Sequence, residues 1–108
     1  MFTVKNVKSF QGRQGIGYIC DLYRNNEKVS TVEDYANGGY PYGITRYAAE
    51  LREYGKTIGL AYSEEMILNC IVDSVENNVP IETMVAEYKK FLKELIWKLK
   101  AWLELKTW

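Results

Sequence analysis

The chain has 108 residues, 14 basic and 14 acidic side chains, a net charge of zero and no histidine. Its 47% hydrophobic and 26% charged composition is that of a soluble domain, and we read residues 1–108 as a single one. Balanced charge argues against a sequence-independent grip on nucleic acid. The missing histidine removes the commonest general base, the usual metal ligand and every Ser-His or Cys-His pair.

Residues 2–10 read as a first strand, β-branched and aromatic but imperfectly alternating. Gln11 to Gly17 is a connection carrying Gly12, Gly15 and Gly17. Its G-x-x-G-x-G spacing matches neither a dinucleotide fingerprint nor a P-loop, so tight turning at a hairpin tip is expected. Residues 18–24 alternate well, with Tyr18, Cys20 and Leu22 on one face and Ile19, Asp21 and Tyr23 on the other. Asn25 to Lys28 is a polar turn, and residues 29–34 form a third strand. Glu33 and Asp34 are neighbours on that strand and point to opposite faces, so they read as surface charge rather than an acid/base pair. Residues 1–40 thus form an antiparallel meander.

Tyr35 to Gly43 is a loop rich in Tyr, Gly and Asn. Ile44 to Tyr54 turns helical, with Ile44, Tyr47, Ala48 and Leu51 on one stripe and Gly55 as its C-terminal stop. Ser63 is the expected N-cap of a second helix running to about Glu76, with Ile67, Cys70, Ile71 and Val75 facing inward. Residues 41–79 therefore hold two short helices. From Pro80 to residue 108 a long amphipathic helix follows, with a seam of Ile81, Val85, Tyr88, Leu92, Leu95, Leu99 and Trp102 at coiled-coil spacing. The fold class is α+β, a three-stranded antiparallel meander followed by three helices, the last long. At 1.5 Å per residue that helix would run roughly 40 Å, so it either forms the spine of the domain or overhangs it.

Cys20 and Cys70 stand alone in apolar surroundings and read as reduced core residues of a cytosolic protein. The N-terminal residues lack an apolar signal segment, and no run is long enough to span a membrane. The expectation is a cytoplasmic, non-enzymatic protein with no catalytic residue, no metal and no cofactor.

Two stretches carry candidate contacts. Tyr40, Tyr42, Arg46 and Tyr47 combine rigid amphipathic rings with an adaptable backbone, as binding loops do, although the same rings could cap the core. The second helix carries Glu64, Glu65, Asp73 and Glu76 in a stretch without bases, an acidic surface suited to a basic partner. Leu95, Leu99 and Trp102 are the candidate self-association residues, for a homodimer built on the last helix. Full burial of that helix and a surface-lying membrane role are the competing readings. A second class of function is a small nucleic-acid-binding module using Lys5, Lys8, Arg13 and Arg24 of the meander, with aromatic rings to stack bases.

The string Val4-Lys5-Asn6-Val7-Lys8-Ser9-Phe10, then Gly12-Arg13 with Gly15 and Gly17, then Val32-Glu33-Asp34 and Asn37-Gly38-Gly39, resembles a set of small phage-encoded proteins over roughly the first 40 residues. No established activity attaches to that set, so the resemblance carries over no catalytic or binding residue. It implies an accessory protein that binds a host protein or defence complex in the host cytoplasm, as anti-CRISPR inhibitors do.

Overall fold

A computed structural model of the protein describes residues 1–106. Three strands form one antiparallel sheet in the order β1-β2-β3: β1 (Phe2–Gly12), β2 (Gly15–Arg24) and β3 (Glu27–Asp34). A 3-10 turn (Thr45–Tyr47) leads into α1 (Ala48–Thr57), followed by α2 (Glu64–Glu76) and α3 (Ile81–Lys106). The class is α+β, a meander and then three helices, the last long.

The imperfect alternation of β1 has a physical cause. The register runs Lys5 opposite Asp21 and then Lys8 opposite Ile19, so two residues, Asn6 and Val7, stand against Cys20 alone. Asn6 takes a left-handed φ of 55°, which asparagine tolerates better than most residues, and its side-chain amide donates to Asp21 Oδ2 at 2.8 Å. The bulge re-phases the strand. Phe2 and Val4 face inward before it, and Val7 and Ser9 after it. A second irregularity sets Leu22 opposite Ser30 but Tyr23 opposite Lys28, which turns Val29 toward the core. The strands run further than the alternation suggests. The first hairpin is closed by Arg13 and Gln14 alone, not by a connection from Gln11 to Gly17.

One face of the sheet contributes Phe2, Val4, Tyr18, Cys20, Leu22 and Val32 to the core, against Ile44, Tyr47, Leu51, Leu60, Ile67, Leu68, Cys70, Ile71, Val72 and Val85. Two helical expectations change here and one holds. Gly55 does not stop α1. It lies inside the helix and is buried where α1 crosses α2, and the helix ends instead at Ile58, with Gly59 in the left-handed region at φ 83°. Val75 faces outward at 39% exposure, while Leu68, Val72 and Ser74 point in. Ser63 does cap α2, its Oγ accepting from the Met66 N–H at 3.3 Å.

The long helix α3 divides in two. Ile81, Met84, Val85, Tyr88 and Leu92 pack on the core, running back along α2. Beyond Leu92 every residue through Glu104 is exposed, so full burial of the helix is overturned. α3 overhangs the body and contributes to a long axis of 54 Å. Trp108 lies outside the described residues. Among those described, no helix is long and apolar enough to cross a membrane.

Candidate functional site

Between the β1–β2 hairpin and the outer side of α2 lies a groove of about 460 Å³. The sheet supplies Ser9, Ile16, Tyr18 and Asp34, and the hairpin tip supplies Gln14. The loop after β3 adds Ala36, Gly38 and Gly39. The opposite wall is Glu65, Asn69, Val72, Asp73 and Glu76 of α2 with Tyr88 of α3. Four carboxylates line it, and among the described residues no Lys or Arg does.

The walls are tied together. The Gln14 N–H donates to the Ala36 carbonyl at 2.7 Å, which hooks the hairpin tip onto the loop. Asp34 Oδ1 accepts the Ala36 N–H at 2.9 Å in an Asx-type turn, and Ala36 itself sits at φ 53°. Across the groove Ser9 Oγ donates to Glu76, linking β1 to the end of α2. Tyr18 donates to Asn69 Oδ1 at 3.2 Å, and the Tyr88 hydroxyl donates to Asp73. Burial pushes both phenols well above the usual tyrosine range, with Asp34 adding to the shift at Tyr18 and the Asp73 hydrogen bond at Tyr88. They stay protonated and act as neutral donors, not as bases. The negative character of the groove therefore comes from its carboxylates, not from its phenols.

The tyrosine-rich loop splits between core and surface. Tyr47 is 9% exposed and donates to the Val29 carbonyl at 3.2 Å, so it is a core residue and not a partner contact. Tyr42 is 64% exposed and adds a two-way backbone bridge to Glu33 on the edge of β3. Its ring meets Tyr35 edge-on, and Tyr35 in turn leans on Phe10. Arg46 is exposed beside the Tyr47 ring. Tyr40 donates to Glu64 Oε1 at 2.9 Å, while Arg52 of α1 takes Glu64 Oε2 at 2.8 Å. The arginine foremost, then a backbone N–H and Tyr40, hold the Glu64 carboxyl below its ordinary range. Glu64 is therefore a clamp joining loop, α1 and α2, and Glu65, Asp73 and Glu76 are the acids that face the groove. Sequence reasoning missed Asp34, Ser9, Tyr18 and Asn69 as companions of the acidic helix. All but Asn69 come from distant strands, and no local spacing ties them to α2.

The basic residues of the meander are scattered. A single nitrogen of Arg24, Nη1, donates to both carboxylate oxygens of Glu50 at 2.9 and 3.0 Å, and Arg13 sits at the hairpin tip. Lys5 lies over the Tyr23 ring on the outer sheet face. That face also carries Asp21, paired with Lys28 at 3.3 Å, and Glu33. Among the described residues no group of three or more His, Cys, Asp or Glu side chains is arranged to hold a metal ion. Leu95, Leu99 and Trp102 are all on the exposed stretch of α3. Comparison with known protein families, with curated proteins and with solved structures finds no match.

Proposed function

We propose that the protein is a non-enzymatic, protein-binding accessory protein of phage type, acting in the host cytoplasm as an anti-CRISPR-like inhibitor of a host nucleic-acid-targeting defence complex. The observation that carries this reading is the groove lined by Asp34, Glu65, Asp73 and Glu76, with no basic side chain among its described lining residues. A nucleic-acid channel is basic, and an acidic concave surface of this size is complementary to it. Exposed Tyr42 and Arg46, a short distance along the chain, supply residue types that dominate interface energetics. Inhibition is by steric occlusion of the channel.

The experiment is affinity capture from bacterial lysate with and without nuclease, using the wild-type protein beside Glu65→Lys and Glu76→Lys. A protein captured after nuclease treatment, and lost with the two variants while their thermal melts match wild type, supports the reading. Capture that both variants retain refutes the groove as the contact. Recovery that disappears with nuclease moves the function to a nucleic-acid-binding module on the sheet, with Lys5 and Lys8 as the first residues to replace.

A further inference from the structure

The overhang of α3 is a bare continuation of a stripe that is covered lower down. At 100° per residue, Leu92, Leu95, Leu99 and Leu103 fall within about 40° of the line set by Ile81, which packs on the core with Val85 and Tyr88. Ile96 and Trp102 flank the same line. α2 covers the stripe as far as Leu92. There a groove of about 370 Å³, bordered by Met66, Met84, Tyr88, Phe91 and Leu92, marks the point at which α2 begins, and beyond it, among the described residues, only Gly59, Ala61 and Tyr62 of the preceding connection border the stripe, on its Ile96 side. Leu95, Ile96, Leu99, Trp102 and Leu103 beyond it are each between 45% and 55% exposed.

We propose that this stripe is the dimer interface of the protein, and that two copies pair through their overhangs in an antiparallel, two-fold arrangement with Leu99 near the axis. The spacing and the area of the stripe select the occupant. The stripe is wide, with apolar residues at the two seam positions and at one flanking position of each heptad, Ile96 and Leu103. The a/d seam within it has the spacing by which one helix packs against another. Covering it on two copies removes on the order of 1,000 Å² from water, at the threshold of a specific interface. An exposed apolar patch of hundreds of Å² on one chain marks an interaction surface.

Direction follows from sterics. The body of each chain lies on the same side of α3 as the bare stripe, because α2 covers the stripe's lower half. A second helix running parallel, seam to seam, would carry its own lower half into the space that α2 fills. Running antiparallel, the second overhang occupies the position beside α3 where α2 is absent. Its body then lies past the far end of the first helix. Leu95 of one copy meets Leu103 of the other, Ile96 meets Trp102, and the surface is isologous and closed.

The 108-residue protein is followed by sedimentation between about 1 and 100 µM, the range in which a small interface dissociates. A dimer whose population rises with concentration is expected, and a monomer throughout overturns the proposal. A chain that stays monomeric but floats with anionic phospholipid vesicles overturns it in favour of a membrane-lying helix. Leu99→Glu sets two carboxylates against each other at the axis and should weaken the dimer by at least about tenfold, with the monomer's thermal melt unchanged. A dimer indifferent to this change refutes the site.

Direction is read separately. Leu95→Cys mixed with Leu103→Cys should form a disulfide-linked heterodimer under mild oxidation, while either variant alone does not cross-link. Native Cys20 and Cys70 are buried and do not compete. Efficient cross-linking of Leu95→Cys with itself would refute the antiparallel arrangement. Solution scattering gives an independent check. Twice the 54 Å long axis less an overlap of about 20 Å predicts a dimer roughly 90 Å long, and a compact dimer contradicts paired overhangs.

Discussion

Replacing Gly55 by alanine tests the packing of α1 on α2 through a change of sign. In an open helix interior, Gly→Ala stabilises by about 1 kcal/mol, because glycine loses more backbone entropy on folding. Gly55 is not in open space. A Cβ built there would stand 2.6 Å from the Leu60 carbonyl oxygen and 2.7 Å from Ile67 Cγ1, and closer still to Ile67 Cδ1. Ile67 is fully buried. The Leu60 carbonyl cannot swing away freely, since the Leu60 N–H donates back to the Gly55 carbonyl at 2.8 Å. Relief requires α1 to back away from α2 by roughly the width of the overlap, and overpacking of that kind costs about 1–3 kcal/mol. The two effects oppose each other, and the clash against backbone decides. A net loss of up to about 2 kcal/mol is expected, read as a lower urea midpoint by circular dichroism with an unchanged m-value. Ile67→Val, which removes the nearest methyl, should cost about 1 kcal/mol alone but less in the Gly55→Ala background, a coupling of at least about 0.5 kcal/mol. A Gly55→Ala protein more stable than wild type would refute this account of the α1–α2 contact.

Ser63→Ala removes the acceptor of the Met66 N–H and should lower stability by about 1 kcal/mol, measured by the same urea titration; no change would mean water satisfies that donor equally well. Alkaline pH gives a test with a definite sign. Burial, with help from neighbouring acids, pushes the Cys20 thiol up to about 12 and the Cys70 thiol up to about 11, while unfolded cysteine ionises near 9. The folded state keeps these protons, so their contribution is whole below about pH 9. It falls by up to about 1.4 kcal/mol per thiol per pH unit above that, with Tyr18 and Tyr88 acting in the same sense beyond pH 10. With no histidine to titrate, the urea midpoint should be nearly level from about pH 5.5 to 8.5. Below that range the clamped Glu64, whose folded pKa is lowered, loses its stabilising charge as acid protonates it.

The secondary structure was legible wherever one residue's neighbours along the chain decide its environment. Alternation over Tyr18 to Leu22 reads the buried face of the central strand correctly, because both of its edges are paired and its phase never breaks. β1 looked irregular because its phase does break, at Asn6 and Val7, and a bulge leaves no mark on composition except an asparagine where φ must be positive. Gly55 was misread for a related reason. A glycine late in a helix serves equally as a stop or as a site of close helix approach, and only the position of Ile67, from another helix, separates the two. The seam of α3 was legible as a helical face. Periodicity gives the direction in which a helix face points, but it cannot say whether another element reaches that far. α2 has 13 residues against 26 in α3, and that difference in length leaves Leu95 and Leu99 of the seam exposed.

The candidate site divides in the same way. The acidic run of α2 could be read from composition alone, whereas the groove needs a second wall from strands roughly 30 to 70 residues earlier in the chain. The tyrosine loop shows how little ring chemistry alone determines. Tyr35, Tyr40 and Tyr47 are the same residue type on one short stretch, yet their hydroxyls donate to Glu33, Glu64 and the Val29 carbonyl respectively. Tyr47 is buried because it lies on the 3-10 turn that enters α1 and folds back over β3, while Tyr42 is exposed because its backbone, not its ring, binds the strand edge. An amphipathic ring becomes core or contact according to which way the main chain is already committed. The rings that remain available for recognition are therefore those whose backbone, like that of Tyr42, is fixed by hydrogen bonds that leave the ring outside.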